Sequence, residues 1–254
     1  MKKSKSIALK LSSLIIGLFI VLFIAYTLVT SMILYNQSIH DSEDATLQNA
    51  ELSAANMSER FKKVNDTLQT TKRIVQTMQG KGELSTEDVM DILQNNLDDN
   101  KDLLGVGAIL ENNTVKIAPT VDTALVDQQN RFIPYLTRGK DQTIINPVVG
   151  LDEKNGAEWY RIPKEEGRAI LTEPYEFNVN GNTISMTTIA VPLVNSKGTY
   201  FGVLSATLSI DFLKELANSI EPEGGYAGII TDQGMLTVNS INEKLDGTNM
   251  QDAI

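Results

Sequence analysis

The chain has 254 residues, with 32 acidic against 22 basic side chains, one histidine (His40) and no cysteine. The missing cysteines exclude a disulfide framework and a thiolate metal site, and the lone histidine excludes a Ser-His-Asp triad in the main domain. So acidic a chain argues against nucleic acid as a partner, while its length allows one or two domains with real cores.

Lys2, Lys3, Lys5 and Lys10 open the chain, with no acid before Asp41. Leu11 to Leu34 carries no charge, and at ~1.5 Å per residue it reaches about 36 Å, enough to cross a bilayer with some tilt. A cleaved signal peptide has a shorter apolar region, so an uncleaved anchor is expected. The lysines before the span, with Asp41, Glu43 and Asp44 after it, orient it by the positive-inside rule. Residues 1–10 then form a cytoplasmic tail, 11–34 a transmembrane helix in the cell membrane, and the remainder is extracytoplasmic.

Residues 36–79 contain no Gly or Pro and are rich in helix formers. Leu47, Ala50, Ala54, Met57, Phe61, Val64, Leu68, Thr71, Val75 and Met78 step by three and four, a heptad seam interrupted only by Thr71. A helix over this span is about 65 Å long, the reach of a stalk. Its seam can pair with a second copy or pack on its own domain; the first, a homodimer through the stalk, is the expectation.

Gly80-Lys81-Gly82 ends the stalk, and Ser85 with Asp88 caps a short helix whose inner face is Val89, Ile92, Leu93 and Leu97. Gly105 to Leu110 and Thr114 to Ala118 read as a hairpin around Glu111-Asn112-Asn113. The insert from Pro119 to Glu173 is too long for an idle connection. Alternating runs from Tyr175 to Val179 and from Asn182 to Val191 flank Asn180-Gly181, the strongest short hairpin signal. A turn at Asn195 to Gly198 leads into Thr199 to Leu208, completing a three-stranded meander.

Turn geometry predicts Tyr175 opposite Met186, and Met186 opposite Thr207, with Thr188 and Ser205 in the next row. Ile189, Val191, Leu204, Ala206 and Leu208 occupy the other face and read as core. The mixed face suits a pocket floor, and Arg131, Tyr135, Arg138, Trp159, Tyr160 and Arg161 of the insert suit its roof. A half-solvated sheet face and a Trp159 that merely plugs the insert satisfy the same pattern. Ser209 caps a helix through Ile220, residues 221–225 form a linker, and Tyr226 to Thr231 with Met235 to Asn239 begins a second sheet. The fold class is α+β: a transmembrane helix and stalk leading into tandem PAS-like antiparallel sheets, the second incomplete in what is expected to be a fragment.

Glu158-Trp159-Tyr160-Arg161-Ile162-Pro163, Thr172-Glu173-Pro174-Tyr175, Ala190-Val191-Pro192-Leu193, Gly198 and Gly202-Val203, behind an anchor and a long helix, resemble the double Cache (dCache) sensor domain of bacterial methyl-accepting chemotaxis proteins. The resemblance covers residue 36 onward. It implies a membrane-distal, ligand-binding lobe over residues 80–208, a connection at 209–225, and a membrane-proximal lobe starting at 226–254. It further implies dimerisation through the long helix and cytoplasmic signalling partners reached through a later region. In amino-acid-binding members a tryptophan and two tyrosines match Trp159, Tyr160 and Tyr175. Their carboxylate-binding arginine and ammonium-binding aspartate fall at Ala157 and Thr207, and Arg161 or Arg131 could replace the cation.

The expected function is therefore a chemotaxis receptor's sensor region, binding a small solute and signalling across the membrane. The candidate ligand-binding residues are Trp159, Tyr160, Tyr175, Thr207, Tyr135, Arg131, Arg161, Met186, Thr188 and Ser205. The same module on a histidine kinase or cyclic-dinucleotide enzyme is the alternative. An anchored enzyme fits less well, since neither a Gly-rich phosphate loop nor a metal-ligand spacing occurs, and a passive stalk or adhesin would need no enclosed pocket. No catalytic residue, metal or cofactor is expected.

Overall fold

The structure, a computed structural model, describes residues 7–152, 157–179, 182–220 and 226–249. The Asn180-Gly181 turn and the 221–225 linker lie outside the described residues. Helix α1 runs unbroken from Ile7 to Lys81, joining the apolar span to the stalk. It is one helix long and apolar enough to cross a membrane. It ends where Gly82 takes a φ of 69°, with the Gly82 and Glu83 amides donating back to Gln79 and Met78 carbonyls.

Helix α2 (Thr86–Asp99) starts in the expected capping box, with Ser85 and Asp88 satisfying each other's amides. Val89, Leu93 and Leu97 are buried. Seven strands then form one antiparallel sheet: β1 (Leu103–Leu110), β2 (Pro134–Arg138), β3 (Thr143–Pro147), β4 (Ile170–Leu171), β5 (Tyr175–Val179), β6 (Asn182–Val194) and β7 (Tyr200–Ser209). Their order is β3-β2-β1-β7-β6-β4, and β5 continues along β6. Helix α3 (Glu158–Glu166) lies between β3 and β4 in the chain. Helix α4 (Asp211–Ser219) follows, with the Ser209 hydroxyl accepting from the Asp211 amide. A small second sheet holds β8 (Gly228–Ile230), β9 (Met235–Asn239) and β10 (Thr248–Asn249).

Three expectations change. The partner of β1 is β2, drawn from inside the insert, not Thr114 to Ala118. That segment instead runs beside the start of α2, exchanging backbone hydrogen bonds between Lys116 and both Leu84 and Thr86. Second, Thr207 faces Thr188, and Met186 faces Ser209. The Asn195 amide bonds the Thr199 carbonyl, making the turn one residue longer than expected, and a bulge at Phe201 adds another. Third, the upper part of the stalk seam packs against the chain's own sheet. Val64, Leu68 and Val75 are buried in one core with Ile189, Val191, Leu193 and Leu204 of the sheet, and Thr71, buried too, accepts from the side-chain amide of Asn96 in α2. Further down, Phe61 meets Phe212 of α4 edge-on at 5.8 Å. Only the lower seam, with Leu47 59% exposed, stays uncovered.

The sheet thus separates two apolar layers: α1 and α2, joined by Leu125 and Phe132 of the insert, on one face, and α3 with Ile133 and Leu151 on the other.

Candidate ligand-binding site

Alternate residues of a strand share a face. On the face away from α1 this brings together Gly105 and Gly107 of β1, Ser205 and Thr207 of β7, and Met186 and Thr188 of β6. Tyr135, opposite Gly107, lays its ring across β1. A Cβ on Gly107 would sit 3.1 Å from the ring, and one on Gly105 would sit 2.6 Å from the hydroxyl. Only glycine lets the ring down that far.

The Tyr135 hydroxyl lies over Gly105, the residue paired across the strands with Thr207. The Thr207 hydroxyl lies 3.1 Å from that of Thr188, which lies 2.7 Å from the Tyr175 hydroxyl. Two tyrosines reaching in from opposite sides therefore close on a central threonine pair. Thr188, Thr207 and Ser205 are 1%, 2% and 3% exposed, whereas both tyrosines are half-buried. Burial pushes the Tyr135 phenol up to about 12, against the opposing hydrogen bond from Thr207. Burial also raises Tyr175, opposed by Thr188. Neutral hydroxyls dominate this row, and each can donate or accept.

Above the neighbouring strand positions sits α3. Tyr160 is buried among Ile109, Ala190 and Val203. Its hydroxyl donates to Glu111 at 2.9 Å and accepts from Arg131 at 3.2 Å and Lys164 at 2.7 Å. Arg131 is 4% exposed and held by Asp127 at 2.6 Å and Asp152 at 2.7 Å. Its own burial works to discharge it, but these carboxylates outweigh that and keep it protonated. Arg131 in turn holds Asp152 below the usual carboxylate range. Among the described residues no group of three or more side chains gathers that could hold a metal ion.

Residues 89–215, half of the chain, match the family described as methyl-accepting chemotaxis protein-like, first PDC sensor domain. The chain belongs to that family. A relative, the methyl-accepting chemotaxis protein TlpQ of Pseudomonas aeruginosa, is 31% identical over 99 residues, covering 37% of this chain and 14% of that protein. The match therefore spans only a small part of that relative's length. The periplasmic sensory domain of the Campylobacter jejuni chemoreceptor Tlp1 superposes with a TM-score of 0.62 at 14% identity, over 80% of this chain and 73% of that one. The extracellular domain of a histidine kinase, mmHK1S-Z2, gives 0.56 at 23% identity, over 77% and 76%. At such identities both are likenesses of fold, and the fold is the double Cache type.

Within this chemoreceptor-type sensor domain the sequence candidates divide. Tyr135, Tyr175, Thr188 and Thr207 form the hydroxyl row. Ser205 lies beside it under Tyr135, and Met186, 1% exposed, sits opposite Tyr175. Trp159 is half-buried at the margin of the α3 layer, its ring 6.5 Å from that of Tyr160. Arg161 is turned outward to Glu158 and Glu165, at 3.8 and 3.0 Å. Arg138 caps the end of α2, donating to the Leu97, Asn100 and Leu103 carbonyls. Neither Arg131 nor Arg161 is thus turned to the row, the first being committed to Asp127 and Asp152. Sequence reasoning missed Gly105, Gly107, Glu111 and Lys164. Two glycines at alternate strand positions were the available signal for the first pair, since such spacing marks a close approach on one face.

Proposed function

We propose that this chain is the extracytoplasmic sensor region of a transmembrane chemoreceptor. One small polar solute binds between the hydroxyl row and α3, touching Tyr135, Tyr175, Thr188, Thr207 and Trp159. The observation that carries the reading is the Tyr135–Thr207–Thr188–Tyr175 row itself, four hydroxyls gathered on one sheet face beside an aromatic-bearing helix. The amino terminus is cytoplasmic and residues 80–208 form the membrane-distal lobe. Strands β6 and β7 carry the row on one face and pack α1 on the other, so a shift in the sheet reaches α1 across one strand's thickness. The continuous helix then conducts it toward the apolar span. The likeness to a histidine kinase's extracellular domain supports a second output for the same sensor.

A thermal-shift screen of polar solutes on the chain in detergent micelles tests this. A solute at 100 times its dissociation constant adds about 2.7 kcal/mol of stability. Trp159→Ala and Thr207→Val should each abolish that gain while the protein stays folded. Solute binding that ignores both substitutions would refute the site.

A further inference from the structure

We propose that Tyr160 is a positioning residue: its hydroxyl fastens α3 over the sheet and makes no contact with the ligand. The inference rests on the ligand lying beneath α3, as proposed above, and concerns how that cover is held.

A phenol hydroxyl has one proton to give and few lone-pair sites to fill. The Tyr160 proton goes to Glu111, and its oxygen accepts from both Arg131 and Lys164. Nothing is left for a solute. The ring is 4% exposed and packed on Ile109, Ala190 and Val203, so its faces are committed as well. The guanidinium of Arg131 and the ammonium of Lys164 stand 5.6 and 4.9 Å from the ring centre.

The three partners come from three places. Glu111 follows β1, Arg131 precedes β2 and is itself clamped by Asp127 and Asp152, and Lys164 lies one turn along α3. A single oxygen thus joins α3 to the sheet margin and to the loop ahead of β2. The helix needs such a fastening. Ala157 before it and Gly167 after it both take left-handed backbone angles, φ 50° and 66°, so the chain bends away at each end. Burial works to discharge Lys164, but Glu111 and Tyr160 outweigh it and hold the ammonium protonated. Trp159, next in sequence to the hub, rides on the same turn and reports its position.

The test uses acrylamide quenching of tryptophan fluorescence on the full chain in detergent micelles, without any solute. Trp159 is the chain's one tryptophan. Tyr160→Phe keeps the ring and deletes the hydroxyl, and should raise the quenching constant about two-fold by loosening α3. Glu111→Gln keeps an acceptor for the Tyr160 proton and should give a smaller rise. Glu165→Ala, an exposed change on the same helix, should leave quenching unchanged. A Tyr160→Phe protein that melts earlier but quenches like wild type has only a structural tyrosine, and overturns the proposal. A Glu165→Ala effect equal to that of Tyr160→Phe overturns it too. Should Tyr160→Phe fail to fold, Lys164→Met and Glu111→Gln decide: raised quenching supports the fastening and wild-type quenching refutes it. Because no solute is present, failure here is separate from failure of the binding site, which shows as solute binding indifferent to Thr207→Val.

Discussion

Replacing Thr188 by valine keeps the shape of the side chain and removes the hydroxyl at the centre of the row. Two hydrogen bonds vanish, one of 2.7 Å to Tyr175 and one of 3.1 Å to Thr207. Each has a net worth of about 1 kcal/mol, so the loss starts at about 2 kcal/mol. The stranded groups are unequal. Tyr175 is half-buried and can turn to water, whereas Thr207 is 2% exposed and cannot. That asymmetry sets the upper end at about 3 kcal/mol, since a buried hydroxyl left short costs at least another ~1 kcal/mol. Guanidinium titration in micelles, followed by Trp159 fluorescence, measures it. Tyr175→Phe alone should cost about 1 kcal/mol, and the double variant no more than Thr188→Val alone, giving a coupling of about 1 kcal/mol. A Thr188→Val cost under about 0.5 kcal/mol, or additivity within that margin, would refute the row as one connected network.

Three further outcomes follow from burial. Leu68→Ala, on the face of α1 that packs against the sheet, should cost about 2–5 kcal/mol, whereas Leu47→Ala lower on the same helix should stay within about 0.5 kcal/mol; equal small effects in chemical denaturation would mean α1 is not core. Tyr200→Phe removes a buried hydroxyl that meets no hydrogen-bond partner among the described residues, so it should stabilise the protein by about 1 kcal/mol in the same titration, and a loss would mean that hydroxyl is satisfied. Alkaline titration by ultraviolet absorbance should show Tyr135, Tyr160, Tyr175 and Tyr200 ionising late, all raised by burial. For Tyr135 the folded value of about 12 lies above the unfolded ~10, so its stabilisation is intact below pH ~10 and fades as pH climbs through ~12; stability flat across that window would contradict its burial.

Local rules sufficed for much of this protein. An uncharged run long enough for a bilayer marks the span, and Ser85 with Asp88 fixes the start of α2, because the first is a property of one continuous stretch and the second of residues within a turn of one another. The division of the meander into a core face and a hydroxyl face also came from sequence, since side chains alternate along a strand. It survived a wrong register: the longer turn at Asn195 to Thr199 and the extra Phe201 displace β7 by two residues, and an even slip returns every side chain to its own face. Which residues meet across strands was not so protected, and Thr207 found Thr188 instead of Met186. The same holds for the partner of β1, for the stalk seam and for the Tyr160 hub. A heptad seam says that one side of a helix will be covered, and only the folded chain shows that its own sheet covers Val64, Leu68 and Val75. Tyr160 and Lys164 stand one turn apart on α3, but Glu111 and Arg131 carry no spacing to them that could be read, because they lie on separate segments whose approach is set by the packing of α3 on Ile109, Ala190 and Val203.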